Sequence, residues 1–338
     1  MIKNRKTYLI LLIFLLIILS IVAMKFGNVK ITINEIYDII INKNSDLNSK
    51  KIILFNLRFP RVLMAIIIGG GLSVVGAVFQ GIYRNPMADP FIIGTSSGAA
   101  LGVTISLIFF SKFIPIFKHG LMGIFAFLGA ILVTFLSYII AKEDNRIPVN
   151  NLLISGIAVN FLVSSLVSLA MIFNRSSIED IVLWLMGSLY LSNIKNIIYI
   201  YPTIIIITLL IYRYYKELNI ILLGEDEAKS VGVNVERVKK IVIILSVIAV
   251  SVMVSNVGII GFIGMMVPHI SRYIIKTSDF KWNIPLSFVI GAILMILSDT
   301  LSRGIVSNTE VPVGIITSLI GSGYFIYLLF KNKNWRVE

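Results

Sequence analysis

No cysteine occurs among the 338 residues, which excludes disulfides and thiolate metal sites alike and leaves the redox compartment unmarked. Histidine is nearly as scarce: the two, His119 and His269, stand in no His/Asp/Glu cluster with metal-ligand spacing, so no resident metal site is expected. Charge is thin too, with Asp, Glu, Lys and Arg at 14% against 57% hydrophobic residues and a mean hydropathy of +0.93. Such a chain is not a water-soluble globule. It has no G-x-x-x-x-G-K-[ST] stretch and hence no Walker-type cradle for nucleotide phosphates. The net charge of +13 does not argue for nucleic acid, because basic residues of a polytopic protein collect at cytoplasmic loops and anionic headgroups.

Long apolar runs take up most of the chain, with room for about ten spans of roughly 20 residues. The first is Thr7 to Met24, behind the basic start MIKNRK. A cleaved signal peptide is the competing reading, but the apolar run is long and no clear small-x-small site follows. Residues 25–60 then lie outside, with ITINEIYDIIIN suited to a short surface helix. Span two, about Arg61 to Tyr83, ends at Arg84-Asn85-Pro86-Met87-Ala88-Asp89-Pro90, where two prolines four apart force a turn. Span three carries Gly94, Gly98 and Gly102, a close-packing face. Span four covers about Leu121 to Ala141 and leads to the short inner loop KEDNR. Span five, about Pro148 to Phe173, places Gly156, Asn160, Ser164 and Ser168 on one face. Such a stripe faces protein or a watery path, unless its hydroxyls bond back to their own helix.

Span six runs from about Ile194 to Tyr215 and span seven ends near Asn256. Span eight holds Gly258, Gly261 and Gly264 before Pro268-His269; there His269 reads as a structural residue after the proline kink rather than a ligand. Span nine covers about Ile284 to Leu301, and span ten, about Pro312 to Phe330, repeats the small-residue theme with Gly314, Thr317, Ser318 and Gly321. With both termini placed in the cytoplasm, 18 of the 30 Lys and Arg fall on inner segments, and 7 of the outer 12 sit in the loop 25–61. The positive-inside bias therefore supports this topology.

Between spans six and seven lies a polar island, Lys216 to Lys240. Glu225, Asp226 and Glu227 suit the first turn of a helix after Gly224, Lys229 suits an i,i+4 pair with Glu225, Gly232 suits a stop, and Asn234 suits a cap for the next helix. Leu222, Leu223, Ala228, Val231, Val233 and Val235 give this island an apolar side. It is either a solvated connector or a compact knob for a partner's groove. The spans offer little for ion coupling: Asp299 is the one acid placed well inside a late span, with Arg303 four residues on to neutralise it. An external motor docking on the island is the stronger reading, and an ion-coupled secondary transporter or passive channel the weaker.

Several residue groups together resemble the FecCD-type permeases, the membrane subunits of ABC importers for iron–siderophore complexes, haem and cobalamin. In the first half they are Arg58-Phe59-Pro60-Arg61, Gln80, Asn85 through Pro90, and Ile93-Gly94. In the second they are Leu223-Gly224, Ala228, Val231-Gly232-Val233, Gly258 through Gly264, Pro268-His269 with Arg272, Ser298-Asp299, Arg303 and Glu310 through Gly314. The likeness runs from Arg58 to the end; Met87, Met265 and Ser278-Asp279-Phe280-Lys281 depart slightly from the usual pattern.

The resemblance implies a single all-α polytopic domain over residues 1–338, with about ten transmembrane helices in the type II ABC importer permease fold with inverted repeats. It implies a homodimer or paired heterodimer in a bacterial cytoplasmic membrane, ATP-Mg on a separate ATPase subunit, and an extracytoplasmic binding lipoprotein that delivers the cargo. Asn85 and Met87 would form the cytoplasmic gate, although the prolines alone explain a turn there. Leu223, Gly224, Ala228, Val231 and Gly232, within coupling helices at about 219–238, would meet the ATPase. Arg58, Arg61 and Arg303 would receive the binding protein's carboxylates, or else contact lipid headgroups. Asn160, Ser164, Ser168, Thr317 and Ser318 would line the path. A ferric siderophore is the default cargo, with haem and cobalamin as alternatives; bare divalent metal is disfavoured by the missing ligand clusters.

Overall fold

A computed structural model of the chain describes residues 5–27, 29, 31–41, 48–110, 118–143, 148–190, 192–305 and 310–331. The start of MIKNRK, most of KEDNR, the side chain of His119 and the tail from residue 332 lie outside the described residues. Among the described residues fifteen α-helices follow in order. They are α1 (Arg5–Lys25), α2 (Ile33–Ile41), α3 (Asn48–Ile52), α4 (Phe59–Ile82), α5 (Thr95–Phe109), α6 (Lys118–Ala141), α7 (Val149–Phe173) and α8 (Ile178–Leu185). The second half holds α9 (Ile194–Arg213), α10 (Tyr215–Leu223), α11 (Glu225–Ser230), α12 (Val235–Val257), α13 (Ile263–Ile275), α14 (Phe280–Ser302) and α15 (Val313–Lys331).

Among the described residues, eight helices are long and apolar enough to cross a membrane. The shorter apolar α5 stands where span three is expected, and α13 where span eight is. The chain is an all-α polytopic membrane protein. Its connections gather on two faces, here called the Arg58 face and the Gly224 face.

The centre is α4. Nearly every residue from Pro60 to Ile82 is buried, because glycines let neighbouring backbones approach. A Cβ on Gly69 would lie 2.3 Å from the Gly291 carbonyl of α14, and one on Gly76 would lie 1.7 Å from that of Gly264 in α13. Spans three and four meet in the same way, with Gly98 and Gly102 of α5 against Gly129 and Phe125 of α6. Gly94 is not in that helix. It precedes α5 at φ 98°, a left-handed position suited to glycine.

Three expectations need correction. The second span does not begin near Arg61, since helix continues from Ser49 to Ile82 through a π-turn at Ile53–Arg58. A π-turn widens the helix locally, and the chain passes Pro60 without stopping. Span eight is only the half-helix α13; Gly258 and Gly261 lie in the irregular segment before it, and Phe262 holds a left-handed φ of 67°. Finally, Lys229 bonds Asp226 at 3.4 Å rather than Glu225. The surface helix within 25–60 does form as α2, closed by a capping box in which Thr32 N donates to Glu35 and Glu35 N to the Thr32 hydroxyl.

Candidate coupling and gating site

On the Gly224 face the polar island folds into a knob. Helix α10 turns Leu218 and Ile221 inward, and α11 opens with Glu225, Asp226 and Glu227 at the positive end of its dipole. Asn234 caps α12 by accepting from Arg237 N at 3.0 Å. Glu225 is held 2.5 Å from Lys239 of α12, a lysine only 2% exposed. The knob is therefore fastened to α12 by an ion pair whose cation is shielded from solvent.

The surface of the knob is selective. Leu223 is 77% and Val231 66% exposed, beside Gly232, whose φ is 86° and where an added Cβ would meet nothing within 4 Å. Ala228 is fully buried within its own chain. It packs α11 inward and offers no contact to a partner, which corrects its expected place in a docking groove.

The loop 83–94 lies against this knob. Asn85 accepts from Met87 N at 2.9 Å, which fixes the turn and leaves Met87 exposed. Arg84, at a left-handed φ of 47°, reaches from the same turn and donates 2.9 Å to the Ile221 carbonyl of α10. Asp89 is half-buried and accepts from Phe91 N at 2.8 Å. Burial raises its carboxyl to about 6, against the lowering effect of that hydrogen bond. Asn219 of α10 bonds the start of α14, donating to Asp279 at 2.6 Å and accepting from Phe280 N at 2.8 Å. One short helix thus touches both the α4–α5 loop and the beginning of α14.

The expected path residues divide. Asn160 donates to the Phe91 and Ile92 carbonyls and accepts from Ser97, while Gly156 lies against Ile92. Together they clasp α7 onto the α4–α5 loop. Ser164 and Ser168 face outward, and Ser168 bonds back to the Ser164 carbonyl at 3.0 Å. Thr317 is fully buried and bonds the Gly314 carbonyl, whereas Ser318 is half-buried beside Gly261.

On the opposite face the three arginines are buried. Arg58 donates to the carbonyls of Met24 (2.8 Å), Lys25 (3.1 Å) and Val29. Arg303 donates to Phe26 at 3.0 Å. Both cations therefore close the C-terminal end of α1, where the dipole favours them and orphan carbonyls need donors. Arg61 bonds Asp299 at 2.6 Å and Glu310 at 2.5 Å, and Arg303 meets the other Asp299 oxygen at 3.1 Å. His269 bonds the Tyr324 hydroxyl of α15 at 2.7 Å. Among the described residues no three His, Asp or Glu gather as a metal site.

Sequence reasoning gave no role to Arg84, Lys239 or Asn219. Each acts on a residue distant in the chain, and only Arg84, beside the Asn-Pro turn, carried a local signal.

The FecCD transport family matches residues 14–331. A cobalamin import system permease from Halobacterium salinarum is 35% identical over 279 residues, covering 82% of this chain and 73% of that protein. A hemin transport system permease from Yersinia pestis is 32% identical over 326 residues and 96% of each chain. A solved structure described as an inward-facing, metal-chelate type ABC transporter superposes with a TM-score of 0.84 at 28% identity, covering 96% of this chain and 99% of that one. With the fold, its long apolar helices and these matches together, the chain belongs to the FecCD transport family and is the non-catalytic membrane permease subunit of an ABC importer, whose ATP is hydrolysed on a separate subunit.

Proposed function

We propose that this permease carries a metal chelate, a ferric siderophore first among the candidates, inward across a bacterial cytoplasmic membrane. The Arg58 face is the outer one, where a binding lipoprotein delivers the cargo, and the Gly224 face with both termini is cytoplasmic. Two permease subunits, identical or close paralogues, enclose the path, and Ser164, Ser168 and Ser318 belong to it. ATPase subunits carrying ATP-Mg cover Leu223, Gly224, Val231 and Gly232. Asn85 and Met87 form the gate. Arg58, Arg61 and Arg303 serve docking by shaping the outer surface, since their own heads are bonded within the chain.

The observation that carries this reading is the Arg84 bond to the Ile221 carbonyl, because it gives knob motion a direct route to the gate loop. The test is uptake by a deletion strain, restored with this chain and its partners and offered labelled ferric siderophore, haem or cobalamin. Uptake of the siderophore alone is expected. Uptake of haem or cobalamin instead would reassign the cargo, and uptake of none would remove the proposal.

A further inference from the structure

A cavity of about 1160 Å³ opens near the Arg58 face, slightly above the usual range of about 300–1,000 Å³ for small-molecule pockets. Helices α6 and α9 both pack on α12, and the cavity lies between them with α8 above. Its two walls differ in chemistry. One is amide and hydroxyl: Asn193, Asn196, Tyr199 and Thr203 along α9, with Ser255 and Asn256 at the end of α12. Tyr199 donates 2.6 Å to Asn256, which fixes that wall. The other is apolar, with Phe127 and Leu128 of α6 facing Trp184 of α8.

Two glycines keep the space clear. A Cβ on Gly120 would meet nothing within 4 Å, and one on Gly123 only the Ser255 carbonyl at 3.3 Å. No lysine or arginine stands among the described lining residues; Asp180 and Glu310 are the charged ones. From Gly120 to Leu128 the α6 wall descends about 12 Å at 1.5 Å per residue, less than half of a hydrocarbon core of about 30 Å. None of the proposed path, gate or coupling residues lines the cavity.

We infer that this cavity binds an uncharged amphiphilic lipid from the adjoining leaflet, with its alkyl chain against Phe127, Leu128 and Trp184 and its hydroxylated headgroup against the α9–α12 wall. An anionic headgroup finds no lysine or arginine among the described lining residues, and Arg61 behind Glu310 is already paired with Glu310 and Asp299.

Trp184 reports directly once Trp282 and Trp335 are replaced by phenylalanine. The permease complex is placed in nanodiscs of unlabelled lipid and titrated with a chain-brominated alkyl maltoside, or with brominated phosphatidylglycerol. Saturable quenching by the maltoside at low mole fraction is expected. Phosphatidylglycerol should quench only in proportion to its mole fraction. Gly120→Leu with Gly123→Leu, confirmed as folded by unchanged thermal unfolding, should abolish the saturable component. If that pair fails to fold, Thr203→Leu is used, which should weaken maltoside binding several-fold. The inference is overturned by equal, non-saturating quenching from both lipids, or by saturable quenching that survives the filling or polar-wall variants. It is also overturned if a ferric hydroxamate competes the maltoside away, which would make this a cargo site.

Discussion

Asp299 is 1% exposed and stands between Arg61 and Arg303, so it neutralises two guanidiniums that water reaches poorly. Removing one partner of a buried pair leaves an uncompensated charge, which typically costs about 3–5 kcal/mol. Asp299→Ala should therefore lower thermal stability in detergent by an amount of that order, and a variant that melts like wild type would show that Glu310 alone suffices. The i,i+4 pairing of Asp299 with Arg303 was legible in the sequence because it is local. The partnership with Arg61, 238 residues away, was not, and the error about where its helix begins hid it further. Asp89 gives a second test at this scale. Its carboxyl rises to about 6 from an ordinary value of 3.8, so the folded state binds the proton more tightly than the unfolded chain. Stability is then greatest below about pH 4, falls as pH rises toward 6, and levels off above, with a total of at most about 3 kcal/mol. Asp89→Asn keeps an acceptor for Phe91 N and should flatten that part of the stability–pH profile; an unchanged slope would assign it to other groups.

At the scale of elements, the knob's outline was readable and its orientation was not. The acidic first turn, the glycine bend and the Asn234 cap are local signals, and all three are found in place. Ala228 and Gly232 looked equivalent because both are small, yet one is buried within its own chain and the other borders open space. Only the packing of α11 on its own chain separates them. On the coupling role proposed for the knob, the same packing makes Lys239 a positioning residue. Lys239→Met would release Glu225 and loosen α11 while leaving the exposed Leu223 and Val231 unchanged in sequence. We expect the assembled transporter to keep its basal ATPase activity but to import several-fold less cargo per ATP. The exchange Glu225→Lys with Lys239→Glu should recover part of that loss. If Lys239→Met lowers ATPase and transport in equal proportion, the residue merely stabilises the fold.

For the whole molecule, the question is how movement at one face reaches the other. The glycine contacts of α4 with α13 and α14 leave no slack, since a single methyl at Gly69 or Gly76 would collide with backbone. These three helices should accordingly move as a block. Helix α10 bears on the block at two points, through Arg84 at the end of α4 and through Asn219 at the start of α14. The ten-span pattern and the close-packing stripes were visible in sequence because hydropathy and small-residue spacing are periodic. These two links are single contacts between distant segments and have no period to reveal them. Arg84 allows its link to be cut cleanly. Its left-handed φ disfavours any side chain, so Arg84→Gly relieves the backbone while deleting the guanidinium. Relief of the left-handed backbone, about 1–2 kcal/mol, offsets much of the lost hydrogen bond, so thermal stability should change little. A hydrogen bond from a charged group contributes about 1.5–3 kcal/mol, so losing it should reduce coupling by roughly tenfold or more. The expected variant is folded, hydrolyses ATP with its partner subunits, and transports poorly, while Arg84→Lys retains a donor and falls between. Wild-type uptake by Arg84→Gly would show that the knob drives the gate by another route, with the Asn219 contact to α14 the next to be cut.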